Sequence, residues 1–178
     1  MTRHAGAEEI YCDHTSVGVL ISSPRGFLLF ERATPPTGLA PVAGHVDRHG
    51  SPERAARSEV AEEVGLTVTG LHPVLTQWRP NHCRRTPTGP IGHQWWIFQA
   101  QVSGSLRHSA REVRAPRWID ADQLQQYALR TAAYAEGQLC RKEFEQEPGL
   151  EPVWCHFLHA LRLITMTSVA LDRIDTVL

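Results

Sequence analysis

Short apolar runs alternate with polar turns along the first half of the chain. Residues 15–22 (TSVGVLIS) and 26–33 (GFLLFERA) are rich in strand-forming residues, and the Ser-Pro-Arg-Gly sequence between them is typical of a turn. These runs predict a β-hairpin. The next stretch, 34–44, holds three prolines and two glycines, which predicts an irregular loop.

A helix and two further strands are predicted after this loop. Ser51 can cap a helix, Pro52 suits its first position, and Gly65 is a matching stop. Residues 66–78 and 94–103 predict strands, and the second contains the very apolar QWWIFQAQV. Between them, residues 79–93 form a loop rich in proline, glycine and arginine.

The C-terminal part of the chain predicts helices. Asp120 and Gln123 have the spacing of a capping box, for a helix reaching about Arg130. A final helix is predicted from about Trp154, with an apolar stripe that reaches Ile164. Residues 129–144 and 165–178 fit neither a helical nor a strand pattern clearly.

Length and charge limit the classes of function. A chain of 178 residues suits one domain, and 18 Lys and Arg against 19 Asp and Glu leave a net charge of −1. This balance provides no field for attracting a nucleic-acid polymer or an anionic membrane. Residues 1–14 are polar, and no apolar run approaches the roughly 20 residues of a membrane span. We expect a cytoplasmic protein that binds a small molecule locally.

The cysteines predict neither a zinc ribbon nor a redox motif. Cys12, Cys83, Cys140 and Cys155 are far apart, so free thiols are expected. His82 precedes Cys83, and His156 follows Cys155, but adjacent cysteine and histidine residues chelate a metal poorly. Together with a histidine at position 45, they invite a metal-site interpretation, yet no zinc-type site is expected from these pairs.

Three glutamates lie close together on the predicted helix. At about 100° per residue, Glu59, Glu62 and Glu63 fall within an arc of about 100°, beside an apolar arc. Like charges at these spacings destabilise a helix by about 0.2–0.5 kcal/mol per pair, and no lysine or arginine four residues on offsets them. A hard cation such as Mg²⁺ or Mn²⁺ would remove this cost. The alternative is an ordinary solvated surface helix.

The stretch from Gly44 to Leu66 resembles the signature of the Nudix family. That signature is a glycine, five residues, a glutamate, seven residues and then R-E-U-x-E-E-x-G-U, where U is a bulky aliphatic residue. The matching positions are Gly44, Glu59, Val60, Glu62, Glu63, Gly65 and Leu66. The hairpin upstream and the later EVRAPRWID also resemble the usual order of the family.

The resemblance is incomplete at two signature positions. Gly50 stands where the signature has glutamate, and Ser58 stands where it has arginine. Arg57 does not replace the missing arginine, because a shift of one residue turns a side chain by about 100° around the helix. Ala43 also replaces the first glycine of a frequent Gly-Gly pair. We expect a weakened or tuned catalyst, because supporting groups of this kind typically change activity 10 to 100-fold.

The resemblance implies an α/β fold, the Nudix α/β/α sandwich with a mixed β-sheet between helices. It implies one domain over 1–178, with a core at 14–125 and a C-terminal helical extension, 126–178, packed on it. It also implies Mg²⁺ or Mn²⁺ as cofactor, held by Glu59, Glu62, Glu63 and the carbonyl of Ala43. Members are often homodimers.

By the same resemblance, the reaction is hydrolysis of a nucleoside diphosphate linked to another group X. Glu62 or Glu63 could take the proton of the attacking water. Some members use a glutamate from a distal loop, for which Glu112 is the candidate here, and an ordinary exposed loop residue is the alternative.

Substrate recognition is predicted in the 79–93 loop and the strand after it. Arginine suits bidentate binding of phosphate, and tryptophan can stack on a base. Adjacent Trp95 and Trp96 point to opposite faces of a strand, so only one can face a cleft. The predicted substrate-binding residues are Arg79, Arg84, Arg85, His82 and Trp95.

Two other functions fit the sequence less well. Gly50 and Ser58 allow a Nudix-like module that binds a nucleotide without turnover, although the intact glutamates favour the enzyme. The NHC sequence at 81–83 loosely resembles the cysteine motif of isopentenyl-diphosphate isomerases. That branch also needs a His/Glu metal set, which the sequence alone does not assemble.

Overall fold

The computed structural model describes residues 11–81, 83, 85–87 and 91–177. Strands and helices are numbered separately in chain order. The strands are β1 (Tyr11–Cys12), β2 (Thr15–Ser23), β3 (Gly26–Arg32), β4 (Leu39–Ala40), β5 (Val42–His45), β6 (Thr67–Arg79), β7 (Thr86–Pro87), β8 (His93–Ser103) and β9 (Val113–Ile119). The helices are α1 (Pro52–Glu59), α2 (Ala121–Ala135), α3 (Arg141–Gln146), α4 (Pro152–Ala160) and α5 (Ser168–Ile174).

The main sheet is mixed, as predicted, and β2 lies at its centre. Strand β2 pairs in parallel with β8 and antiparallel with β5, while β8 pairs antiparallel with β6. The predicted hairpin is confirmed, since Ser22 lies opposite Phe27 where β2 turns into β3. Strands β4 and β9 pair with β3. Separately, β1 and β7 form a short parallel pair.

Helices cover both faces of this sheet, because side chains alternate along β2. Val17 and Val19 belong to a buried apolar cluster that includes Ala55 and Ala56 of α1. On the other face, Gly18 lies directly under α4, since a β-carbon at this position would overlap the Trp154 indole. Residues of α2 and α5 belong to the same buried cluster as α4. The arrangement is a three-layer α/β/α sandwich, the architecture that the resemblance predicts.

The predicted helix starts are confirmed more closely than the ends. Both bonds of the capping box form, from Gln123 N–H to Asp120 Oδ1 (2.8 Å) and from Asp120 N–H to Gln123 Oε1 (3.1 Å). Helix α2 continues five residues beyond the predicted end at Arg130. Helix α4 ends at Ala160 and does not reach Ile164, because Arg162 adopts a left-handed φ of 59°.

The predicted loop at 34–44 is partly wrong. Leu39–Ala40 and Val42–His45 form short strands, because their aliphatic residues pair with β3 and β2. Of the two unclear C-terminal blocks, residues 129–144 hold the end of α2 and the start of α3, and residues 165–178 contain α5. Within the described ranges, none of the helices has the length and apolar character needed to cross a membrane.

The glutamate-bearing helix begins as predicted and then changes character. Ser51 Oγ accepts a hydrogen bond from the Arg54 N–H (3.3 Å), and Pro52 occupies the first turn. From Val60 to Val64 the α-helix gives way to a π-helical turn, a feature frequent at functional sites. Gly65 ends it with a φ of 68°, a left-handed conformation that favours glycine.

Candidate active site

A cavity of about 290 Å³ lies where β5, the π-helical turn and the start of α4 meet. Glu59 and Glu63 form one side, and the loop before β9 adds Glu112. We call these three residues the acidic cluster. The structure thus brings together two neighbouring glutamates of the signature with a third that lies about fifty residues further along the chain.

The backbone of β5 supports the acidic cluster. The Ala43 N–H donates to Glu63 Oε2 (3.2 Å), and the Glu63 residue is only 7% exposed. Gly44 lies so close to Glu59 that a β-carbon at this position would overlap the carboxylate. Ala43 sits within a β-strand, a conformation open to any L-residue, so alanine does not disturb its carbonyl group.

The other two predicted acids differ in position. Glu62 is exposed on the π-helical turn, and its side chain does not line the cavity. Glu112 lines it, and its backbone is fixed by bonds from the Ala33 N–H to its carbonyl (3.1 Å) and from its own N–H to Ser109 (3.2 Å). Its side chain remains 45% exposed, so water can reach the carboxylate.

Crowding of carboxylates raises the pKa values of the buried members. Burial raises the pKa of Glu59 to about 8, and the charges of Glu62 and Glu112 add to this effect. Burial, together with the charge of Glu59, also raises the pKa of Glu63 well above its ordinary range. A set of buried oxygen donors that resist ionisation is suited to a hard divalent cation, which would restore the charged forms.

Two arginines face this cavity, and one was not predicted. Arg85 lines it and forms an ion pair with Asp47. Arg32, which the sequence did not indicate, also lines it and donates to Glu151 Oε2 (3.2 Å). Arg32 and Glu151 are 119 residues apart, so no local spacing could have revealed the pair.

The remaining predicted basic residues are not in the described cavity lining. Arg79 forms an ion pair with Asp175 (2.7 Å) just after α5, and His156 contacts the same carboxylate (2.7 Å). The structure therefore does not bring Arg79 to the acidic cluster. His82 and Arg84 lie outside the described residues, so the predicted phosphate contacts rest on Arg85.

The two adjacent tryptophans point to opposite faces, as predicted. Trp95 is 5% exposed, lines the cavity, and packs against Trp154 and Phe157, with ring centroids 6.2 and 5.2 Å away. Trp96 packs against the apolar cluster under α1. Trp95 is therefore a core residue whose edge reaches the cavity wall.

A second cluster, absent from the predictions, adjoins the same cavity, and three of its four residues line it. The potential ligand atoms of Cys12, His45, Cys83 and His93 all lie within 4.8 Å of one another. We call these four residues the cysteine–histidine cluster. The expectation of no zinc-type site considered only neighbours in sequence, whereas these residues come from four separate segments. His45 lies opposite Ser16 on one side of β2. Gln94, the residue after His93, lies opposite Thr15 on the other side, so both histidines are near the start of β2.

The two departures from the signature have different structural contexts. Gly50 has a φ of 84°, and a β-carbon there would meet only Arg54 Nη1 at 4.0 Å, so conformation rather than crowding favours glycine. Ser58 lies in the last turn of α1. Arg57 donates to the Val68 carbonyl (2.9 Å), so its guanidinium is directed to β6 and does not support the acidic cluster.

Comparisons with known proteins agree with this fold. The sequence model of the NUDIX domain matches residues 13–141. No curated protein sequence matches the chain. A NUDIX hydrolase structure from Nitrosomonas europaea is 20% identical, with a TM-score of 0.52 over 64% of this chain and 76% of that chain.

Two further solved structures are similar at comparable levels. The MutT protein from Bacillus halodurans is 16% identical, with a TM-score of 0.51 over 63% of this chain and 71% of that one. The E. coli dihydroneopterin triphosphate pyrophosphohydrolase is 23% identical, with a TM-score of 0.50 over 64% and 84%. At these identities the structures support the fold, and the domain match supports the family. The chain belongs to the Nudix hydrolase family.

Proposed function

We propose that this protein is a Mg²⁺-dependent pyrophosphohydrolase that cleaves a nucleoside diphosphate linked to another group. The observation that carries the proposal is the convergence of Glu59, Glu63 and Glu112 in one cavity that also contains Arg32 and Arg85. Carboxylates can hold cations that bind phosphate oxygens, and guanidinium groups can bind phosphate oxygens directly. Both kinds of group in one cavity therefore suit a diphosphate substrate.

The metal ligands in this proposal are Glu59, Glu63 and the carbonyl of Ala43. The donors are all oxygen, which favours Mg²⁺ or Mn²⁺ over softer ions. Glu62, at the solvent side, adds negative charge close to Glu59 and can support a hydrated ion. When bound, the ion supplies positive charge that offsets the charge developing on the phosphate oxygens during hydrolysis.

Charge balance explains why a cation is needed. Among the described residues, the cavity lining contains four carboxyl groups, Glu59, Glu63, Glu112 and Glu151, and two arginines. Arg32 and Arg85 already have carboxylate partners in Glu151 and Asp47. A diphosphate would therefore find little unpaired positive charge in the cavity unless divalent cations entered with it. Arg85, which lines the cavity directly before β7, is the side chain proposed to bind the phosphate.

Glu112 is the proposed general base. It is the most exposed member of the acidic cluster, so water reaches it without crossing the buried carboxylates. Its backbone is held to Ala33 and Ser109, which fixes the carboxylate at the cavity edge. A base must lie within hydrogen-bonding reach of the water it activates, and Glu112 faces the cavity without joining the Glu63–Ala43 contact.

The proposed test is a substrate screen with purified protein and Mg²⁺ or Mn²⁺. Nucleoside triphosphates, nucleotide sugars, dinucleoside polyphosphates and prenyl diphosphates would each be incubated, and phosphorylated products separated by ion-exchange chromatography. We expect at least one compound to give two phosphorylated products, with ¹⁸O from labelled water in one of them. Glu63→Gln should abolish this activity while Glu53→Gln, on the exposed first turn of α1, should retain it.

The screen also distinguishes the alternative of a binding module. Gly50 and Ser58 are the observations that motivate this alternative. Saturable binding of a nucleotide in calorimetry, with no product from any compound in either metal, would reject the enzyme. A prenyl diphosphate converted into an isomer, without release of phosphate, would indicate the isomerase branch instead.

A further inference from the structure

The cysteine–histidine cluster has the composition of a zinc site. Two thiols and two imidazoles are the donor set of many closed, tetrahedral zinc sites with a structural role. The acidic cluster offers only oxygen, so the two clusters differ in the metals they favour. Cys140 and Cys155, the other free cysteines, do not belong to this group.

We propose that Cys12, His45, Cys83 and His93 bind one Zn²⁺ ion, which fixes the arginine-bearing loop to the wall of the catalytic cavity. The inference goes beyond the proposed hydrolase activity, since it concerns a second metal of a different class. It rests on the arrangement of the four side chains and does not depend on the identity of the substrate.

The interatomic distances fit such an ion. Zinc–sulfur bonds of about 2.3 Å and zinc–nitrogen bonds of about 2.0 Å in a tetrahedron place sulfur and nitrogen about 3.5 Å apart. Cys12 Sγ lies 3.1 Å from His93 Nε2, and Cys83 Sγ lies 3.3 Å from His45 Nε2. With all donor atoms within 4.8 Å of one another, small side-chain movements would complete the tetrahedron.

The surroundings of the cluster also suit a metal. His93 Nδ1 lies 2.8 Å from Asn81 Oδ1, so the proton belongs on Nδ1 and Nε2 is free to bind the ion. Backbone N–H groups of His14 and Arg85 donate to the sulfurs of Cys12 (3.3 Å) and Cys83 (3.4 Å), and metal-bound sulfur accepts contacts of this kind. Burial raises the pKa of the Cys12 thiol to about 11, so Cys12 would release its proton on binding the ion. Burial lowers the pKa of His93 to about 4, which keeps this imidazole in its neutral, metal-binding form.

The site would connect two strands of the main sheet, β5 and β8, to two segments outside it. Cys12 ends β1, His45 ends β5, His93 begins β8, and Cys83 lies in the loop between β6 and β7. His45 directly follows Gly44, which packs against Glu59, and Cys83 lies two residues before Arg85. Zinc would therefore position the phosphate-binding arginine relative to the acidic cluster.

The direct test is the metal content of the full-length protein, purified without chelator and measured by inductively coupled plasma mass spectrometry. We expect about one zinc per chain in the wild-type protein. The zinc content of Cys83→Ser and of His93→Gln should be at least tenfold lower. Cys140→Ser and His72→Gln are matched controls, because both residues are exposed and outside the cluster, and they should retain zinc. Glu63→Gln should also retain it, which separates this site from the acidic cluster.

Wild-type protein provides a second measurement in case a variant does not fold. Removing zinc with a chelator should lower the melting temperature by at least about 5 °C, and zinc but not Mg²⁺ should restore it. Co²⁺ in place of zinc should give the intense visible bands of a tetrahedral ion and a thiolate charge-transfer band. These results need no substrate, so they stand even if the hydrolase proposal fails.

Three results would overturn the zinc site. One is the absence of zinc both after purification and after addition of Zn²⁺ to reduced protein. Another is zinc that remains in Cys83→Ser and His93→Gln at the level of the controls. The third is a Cys12–Cys83 disulfide that, once reduced, leaves a protein unable to bind Zn²⁺ or Co²⁺.

Discussion

The two polar clusters at the cavity differ in how their buried groups interact with one another. The acidic cluster places like charges together, so burial and repulsion raise the pKa values of Glu59 and Glu63. The cysteine–histidine cluster places neutral imidazoles beside thiols at hydrogen-bonding distances. The first cluster is destabilised until a hard cation arrives, whereas the second is already internally bonded. In our two proposals, the acidic cluster accordingly binds the catalytic ion and the cysteine–histidine cluster binds a structural one.

The largest effect should come from breaking the acidic cluster. Glu63→Gln should reduce turnover by more than about 100-fold, because even partners outside the inner ligand set typically cost 10 to 100-fold. The amide keeps the size of the side chain but loses the charge. Steady-state kinetics on the best substrate of the screen measure this effect, with Glu53→Gln as the control. A Glu63→Gln enzyme within threefold of wild type would remove this residue from catalysis.

The arginines provide the next comparison, between a cavity residue and one outside it. Arg85→Ala should raise KM about 10-fold with little change in melting temperature, because it faces the cavity and is part-exposed. Arg79→Ala should lower the melting temperature and leave KM nearly unchanged. The variant loses the ion pair with Asp175, whose carboxylate then contacts His156 alone.

KM and melting temperature of both arginine variants decide whether this assignment is correct. If Arg79→Ala raised KM as much as Arg85→Ala, phosphate binding would extend beyond the described cavity. Equal loss of stability in the two variants would make Arg85 a structural residue. The comparison requires the same substrate and the same Mg²⁺ concentration throughout.

Restoring the signature should have a smaller effect and should depend on position. Ser58→Arg should raise kcat/KM several-fold, up to about 10-fold, by supplying a cation beside the carboxylates. Gly50→Glu should not add to this gain, because a φ of 84° strains any residue with a β-carbon. Kinetics and thermal melts of the two single variants test the point. A more active and equally stable Gly50→Glu protein would contradict it.

The smallest predicted effect concerns pH and the metal-free protein. Glu59 has a folded pKa of about 8 against an ordinary value of 4.5, so its stabilising contribution is complete below 4.5 and is lost as pH rises through 8. The buried histidines have lowered pKa values, so above their ordinary value of 6.5 they are neutral in both states. Between pH 6.5 and 8, the melting temperature should therefore fall, by a few degrees.

Two comparisons test this pH effect by differential scanning fluorimetry in a chelating buffer. Glu59→Gln should show a flatter dependence and should exceed wild type in melting temperature at pH 8. Mg²⁺ should remove most of the wild-type slope, because it compensates the same charge. A slope that is identical in wild type and Glu59→Gln would place its origin elsewhere in the molecule.

The two clusters also explain what could be read from the sequence. The acidic cluster comes largely from one helix, where fixed spacing places Glu59 and Glu63 on one side, so a local motif predicted it. Even there, the π-helical turn left Glu62 exposed, which regular helical geometry did not predict. The alternation of side chains along a strand correctly predicted that Trp95 and Trp96 point to opposite faces of the sheet.

The cysteine–histidine cluster could not be predicted from local spacing. Cys12 and His93 are 81 residues apart, and Cys83 and His45 are 38 apart, so only strand pairing brings them together. Arg79 shows the converse error. The sequence predicted an arginine-rich loop from residue 79, but Arg79 ends β6, and its side chain binds the Asp175 carboxylate after α5. Composition identified a basic loop, and tertiary contacts decided which of its members face the cavity.

The central claim, that the acidic cluster binds a hard divalent cation, can be tested directly with Mn²⁺. Electron paramagnetic resonance measures free Mn²⁺, so loss of its signal on adding protein reports binding. We predict that wild type binds Mn²⁺ in competition with Mg²⁺, that Glu63→Gln and Glu59→Gln bind at least tenfold more weakly, and that Cys83→Ser binds as wild type does. Equal Mn²⁺ binding by wild type and both glutamate variants, or none by wild type with or without a nucleotide, would contradict the claim.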